Sequence, residues 1–246
     1  MIRIFLTALT VCICLSCGRN NNQLPSSESA GIGDTIDAAS VLNDPKNILN
    51  VQTSSFSEID SSGVLMFPLA MAEKGRGSDI ISKEMPGNTY WNIIFYNSQT
   101  GQHHLLSERK MLINNYDEYK GDGISIPQIN NSLFYNVITD DYNHDKKLTS
   151  DDPQYLFITD KTGHNLQQIS PSGYHLMKWN YIERTNKVIM TLRRDSNKNR
   201  VFESEDEIST FEIELGKGVK PREIFSTDFK NKLKLLFDKD WKRLKE

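Results

Sequence analysis

Two stretches of this chain set oxygen-bearing side chains at matched intervals. The first runs Asp141-Tyr142-Asn143-His144-Asp145-Lys146-Lys147-Leu148-Thr149-Ser150-Asp151-Asp152, the second Asp195-Ser196-Asn197-Lys198-Asn199-Arg200-Val201-Phe202-Glu203-Ser204-Glu205-Asp206. Counted from the first aspartate, both offer side-chain oxygens at positions one, three, five, nine and twelve. These are Asp141, Asn143, Asp145, Thr149 and Asp152 in the first loop, and Asp195, Asn197, Asn199, Glu203 and Asp206 in the second. A large apolar residue, Leu148 or Phe202, stands at position eight. On a tight loop, alternate residues turn their oxygens inward. Ligands made of oxygen alone select a hard cation.

This spacing resembles that of EF-hand-type and dockerin-type calcium loops. The resemblance implies Ca2+ held by those ten side chains and by the backbone carbonyl of position seven, Lys147 or Val201, and several carboxylates on a flexible loop favour calcium over magnesium. Three departures lower the expected affinity. Position six, glycine in the family, is Lys146 or Arg200; position twelve is the shorter Asp; and Asn199 removes one charge from the second loop. The expected dissociation constants are ~10⁻⁴–10⁻³ M, the range of extracellular modules. An alternative stays open: Asp-x-Asn-x-Asp also forms Asx turns in an exposed loop with no metal at all. A metal here would be structural, since nothing beside either loop pairs a nucleophile with a base.

Other chemistry-bearing residues give weaker signals. His103 and His104 are adjacent on an expected strand and so point to opposite faces. His144, His164 and His175 are scattered and read as surface or turn residues. No Gly-x-Ser-x-Gly, His-Glu-x-x-His or phosphate-loop motif is present. The formal charge is −3 and no dense basic patch precedes the C-terminus, which argues against a nucleic-acid partner.

The elements that must carry the loops read as short antiparallel strands. Gly63 to Ala70, Tyr90 to Tyr96, Leu133 to Ile138, Tyr155 to Thr159, His175 to Ile182, Lys187 to Leu192 and Thr210 to Leu215 are rich in β-branched and aromatic residues. Asn, Asp, Gly or Pro clusters bound each one. Ser98-Gln99-Thr100-Gly101, Asp160-Lys161-Thr162-Gly163 and Gly216-Lys217-Gly218 supply hairpin turns. The segments repeat as strand, long polar loop, strand, glycine turn and third strand, with copies beginning near Val64, Leu133 and Lys187. This rhythm resembles the blades of β-propeller proteins, although three copies are fewer than an ordinary closed propeller has. The first copy's loop, Glu73 to Thr89, lacks the ligands, and no metal is expected there.

Behind the repeats, Phe229, Leu233, Leu236, Phe237, Trp241 and Leu244 recur at helical spacing after Ser226-Thr227-Asp228. Lysines and Arg243 cover the other faces. Docking on the β-domain is the simpler use of such a helix, and lying on an anionic membrane the alternative. Tyr90, Trp91, Trp179 and Tyr181 read as core residues ahead of a sugar platform.

The N-terminus gives an address. Met1-Ile2-Arg3 carries a positive charge, Ile4 to Ser16 is almost wholly apolar, and Cys17-Gly18 follows. The run is too short for a membrane span, which needs about 20 residues, and has the form of an export signal. It resembles the signal of bacterial lipoproteins, which implies cleavage before Cys17 and acylation of that residue. Cys12, Cys14 and Cys17 are the only cysteines, so the exported part would contain no disulfide. Asp34-Thr35-Ile36 resembles a short O-glycosylation signal of some Bacteroidetes secreted proteins.

The expected organisation is therefore a signal peptide over 1–16, a lipidated N-terminus and tether over 17–50, a β-repeat domain over 51–225 and a helix over 226–246. The fold class expected is mainly β, built of antiparallel blade-like repeats. The functional expectation is a lipid-anchored binding or scaffold domain on a bacterial envelope, in the outer membrane, stiffened by calcium and without catalysis. It would meet the membrane through its lipid and a protein or glycan through its surface. A surface hydrolase acting on glycans is the competing expectation.

Overall fold

Residues 56–70, 89–114, 128–218 and 220–241 are described by a computed structural model. Cys17, the expected leader and tether, and all of the first copy's expected loop but Thr89 lie outside the described residues. Among the described residues, thirteen strands, β1 to β13, precede the helix α1 (Thr227–Asp240).

All seven expected strands form. They are β2 (Val64–Ala70), β3 (Thr89–Asn97), β7 (Ser132–Ile138), β8 (Gln154–Asp160), β10 (Tyr174–Ile182), β11 (Lys187–Arg194) and β12 (Glu207–Glu214). Around them, short strands complete three antiparallel meanders. Unit one is β1 (Ser57–Glu58), β2, β3 and β4 (His103–Leu105). Unit two is β6 (Gln128–Ile129), β7, β8 and β9 (Gln167–Gln168). Unit three is β10, β11, β12 and β13 (Arg222–Glu223). The repeat is thus four-stranded, with an opening strand that the three-strand expectation lacks. β5 (Leu112–Asn114) pairs with both β3 and β7 and joins units one and two into one sheet. Unit three is a separate sheet, and neither path closes on itself.

Strand periodicity decides the packing. Along β11, Val188, Met190 and Leu192 are buried while the intervening residues are only half-buried, the alternation of a sheet covered on one face. β7 differs, because both its faces are covered. Leu133, Tyr135 and Val137 join a core with Ile59, Met66, Ile93 and Phe95 of unit one. Phe134 joins a second core with Trp179, Val188, Met190 and Phe211 of unit three. Trp179 stacks on Phe134 with ring centroids 4.8 Å apart, so it serves as a core residue. The middle unit is therefore sandwiched, which is how a repeat array buries apolar surface that no single repeat could bury alone.

The contact between units one and two is tight at one turn. Gly163 has φ +80°, and a Cβ there would lie 2.4 Å from the ring of Phe95. Only glycine satisfies both the left-handed backbone and that approach. Beside it, His104 stacks between Phe95 (5.4 Å) and His164 (3.9 Å), while Lys161 pairs with Asp60. Nε2 of His104 is buried with no hydrogen-bond partner.

The helix departs from expectation. Ser226 caps it, accepting a hydrogen bond from the Phe229 amide at 3.3 Å, but no residue of α1 is buried. The expected docking is confined to its first turn, where Lys230 reaches Glu207 (2.8 Å), Glu223 and Ser209 (2.9 Å). A charged clasp, rather than an apolar seam, connects helix and sheet, because β13 is only two residues long and polar.

Candidate metal centre

The two acidic loops occupy equivalent places. Asp141 to Asp152 connects β7 to β8, and Asp195 to Asp206 connects β11 to β12. In each, the flanking strands are paired neighbours, so the loop's two ends are fixed by a ladder.

Within the loops the same hydrogen bonds recur position by position. The position-one carboxylate accepts from the amides of positions five and six: Asp141 from Asp145 (3.0 Å) and Lys146 (2.9 Å), Asp195 from Asn199 (3.1 Å) and Arg200 (2.9 Å). Position three, Asn143 or Asn197, accepts from the position-five amide at 2.9 Å. Position five, Asp145 or Asn199, accepts from the amide of Lys147 (2.8 Å) or Val201 (2.9 Å). Position twelve folds back to the start and accepts from positions two and nine. Asp152 takes the amides of Tyr142 (2.9 Å) and Thr149 (3.0 Å); Asp206 takes those of Ser196 (2.9 Å) and Glu203 (3.0 Å).

The backbone matches as well. Positions four and six are left-handed in both loops, with φ +63° and +70° at His144 and Lys146, and +61° and +69° at Lys198 and Arg200. Side chains other than glycine rarely adopt this region. Lys146 and Arg200 therefore hold, at a cost in strain, a left-handed turn that glycine adopts freely.

Burial divides the ligand set. Asp152, Asp195, Asp206 and Thr149 are buried, whereas Asp145, Lys147, Asn197, Asn199, Val201 and Glu203 are exposed. Asp141 and Asn143 are half-buried. Position eight is the anchor of each loop. Leu148 packs with Leu112 and Ile138, and Phe202 lies against Tyr142 (5.1 Å) and His175 (5.6 Å). The amides of Glu203 and Ser196 hold the Asp206 carboxyl below the usual carboxylate range.

The donor set fits a hard cation in kind, being carboxylate, amide and hydroxyl oxygen, each carboxylate oxygen keeping acceptor capacity beyond its amide bonds. Its gathering is looser than a carboxylate cage: among the described residues, no three His, Cys, Asp or Glu side chains group closely enough to hold a metal ion. Two of the oxygens come from asparagine in the second loop, and position twelve is committed to two amides in both.

The loops also meet each other, which their spacing does not foretell. Tyr142 of the first loop donates to Asp195 Oδ2 of the second at 3.2 Å. Burial, then that hydrogen bond, pushes the Tyr142 hydroxyl pKa up. A cleft of about 390 Å³ lies between the loops, with Asn143 and Asp151 on one side, Arg200 and Phe202 on the other, and His175 among its lining. His175 is thus not the surface or turn residue expected. It sits on β10, and burial, then nearby Arg193, pushes its pKa down.

Among the described residues no helix is long and apolar enough to cross a membrane. No protein-family model matches the chain. No curated protein matches its sequence.

Proposed function

We propose that this chain is an exported, lipid-anchored envelope protein whose β-repeat domain is a non-catalytic binding or scaffold module stiffened by calcium. The observation that carries the calcium reading is the repetition of one hydrogen-bond pattern, with left-handed backbone at positions four and six, in two loops that share Asp, Asn and Asp at positions one, three and twelve but differ at four and six. A bare Asx turn accounts for one of those bonds; it does not require position twelve to return to positions two and nine in both copies. Calcium would lie among the oxygens of positions one, three and five, with the carbonyls of Lys147 and Val201 and the side chains of positions nine and twelve. Its role is to hold the turn closed by drawing the loosely gathered oxygens of each loop together.

Calorimetric titration with calcium and with magnesium tests this directly. Calcium is expected to bind with two sites per chain and to raise the melting temperature, since a ligand above its dissociation constant stabilises the native state. No heat and no shift at ~5 mM calcium, several times the ~10⁻³ M expected for extracellular modules, would overturn the reading. The anchor rests on the residues around Cys17, and mass spectrometry of the mature N-terminus tests it separately. A diacylglyceryl cysteine at position 17 is expected, and an intact leader would refute it.

A further inference from the structure

We infer that α1 is a docking element for an anionic lipid surface. Phe229, Leu233 and Leu236 fall at intervals of four and three, so they share one face, and each is between 44% and 48% exposed. Phe237, 49% exposed, falls beside them, and Trp241 at the C-cap is 75% exposed. A contiguous apolar stripe of this kind marks an interaction surface.

Charge identifies the occupant. Residues 226–246 hold seven of the chain's 29 lysines and arginines against four acids, in a protein whose formal charge is −3. On the helical wheel Lys232 and Lys239 flank the stripe on one side, with Asp228 beside them, and Lys234 on the other; Asp238 lies opposite, and Asp240, the last helical residue, falls on the stripe itself. Lys230, which projects near the stripe, is drawn away to Glu207 and Glu223. Lysine is depleted from the cores of protein interfaces but suits helices that lie in a bilayer interface, where its stem spreads along the acyl boundary and its ammonium meets phosphate. A second copy docked stripe to stripe would bring lysine rows together. Tryptophan at the end of the stripe matches the headgroup depth that its ring prefers. The Lys230 clasp then fixes how the β-domain stands on the surface. None of this depends on Cys17 or on calcium.

The test uses the full chain, so that the apolar leader is common to every sample. Flotation with phosphatidylglycerol–phosphatidylcholine vesicles and with pure phosphatidylcholine compares wild type with Leu233→Glu/Leu236→Glu and with Lys232→Glu/Lys239→Glu. Both variants are expected to lose at least tenfold in affinity for the anionic vesicles, with helix content unchanged by circular dichroism. Brominated phosphatidylglycerol is expected to quench the fluorescence that Trp241→Phe removes. Equal binding by wild type and both variants, or no quenching of that component, overturns the proposal. So does self-association without lipid that Leu233→Glu/Leu236→Glu abolishes, which would identify a second copy as the occupant.

Discussion

The phenol of Tyr142 donates a hydrogen bond to the carboxylate of Asp195 at 3.2 Å, tying position two of one acidic loop to position one of the other. Asp195 thereby accepts from two amides and a phenol, whereas Asp141 accepts from its two loop amides. The two loops are chemically alike but not equally placed.

Tyr142→Phe removes the tie and little else, because the ring still packs on Phe202. A partly exposed hydrogen bond to a carboxylate of this length is worth about 1 kcal/mol. Denaturant melts without calcium should show a loss of that size. Titration of Tyr142→Phe should also show weaker calcium binding at the second loop, whose first ligand is no longer fixed from outside. A variant equal to wild type in both measurements would show the tie to be idle.

Asp141→Ala and Asp195→Ala are expected to separate two effects. Asp195→Ala should destabilise the calcium-free protein more, since it is buried and strips a partner from three donors. Asp141→Ala should remove more of the calcium-induced rise in melting temperature, because position five of its loop is a second inward carboxylate, Asp145, where the other loop has Asn199. Thermal melts with calcium and with chelator give both numbers. The opposite ranking in either arm defeats the assignment.

Lys146→Gly and Arg200→Gly should stabilise. Each position has φ near +70°, where a side chain costs about 1–2 kcal/mol and glycine costs nothing beyond its greater chain entropy. The net gain expected is about 0.5–1 kcal/mol per site, with calcium affinity raised in parallel. A lower melting temperature would mean that the lysine or arginine side chain itself supports the loop.

Gly163→Ala and Gly173→Ala form a matched pair. Both glycines have φ near +80°, but only at Gly163 would the new Cβ meet another residue, the ring of Phe95. Gly173→Ala should cost about 1 kcal/mol from backbone strain. Gly163→Ala should cost about 3 kcal/mol or more, adding overpacking to strain. Similar losses would show that the contact between units one and two relaxes freely.

Acid should loosen that same contact. Burial, followed by the charge of His164, pushes the His104 pKa below 6.5, opposed by Asp160 nearby. A histidine depressed in the folded state binds its proton more readily when unfolded, so stability is fully present above pH 6.5 and declines as the pH falls below it. Burial and Arg193 give His175 the same sign. His164→Gln should therefore lose less stability than wild type between pH 7.5 and 5.5 in chemical denaturation. An unchanged pH dependence would place the whole effect at His175.

The strands were legible because their apolar residues alternate or run together between turn residues, as in β11 and β7. Edges were less so: β12 begins at Glu207, directly after the position-twelve Asp206, where a polar run gives no strand signal. β1, β6 and β13, two residues each, have no period to read. β5 is defined by pairing with β3 and β7, a long-range event. The ligand spacing was legible because each loop is local. Contacts across units were not: Tyr142 lies 53 residues from Asp195. Period two correctly separates exposed His103 from half-buried His104, but says nothing of His164 arriving from another unit.

β7 has neighbours above and below it, and this dictates how the array can vary. Deleting the last repeat would strand Phe134 and Leu156 in water, so the middle copy cannot serve as a terminus. The sheet of unit three has the opposite character at one of its two edges: β13 is guarded by Arg222, Glu223 and the Lys230 bridge. Charged, two-residue edges resist pairing with further strands. Among the described residues the open array thus meets a polar stop at β13.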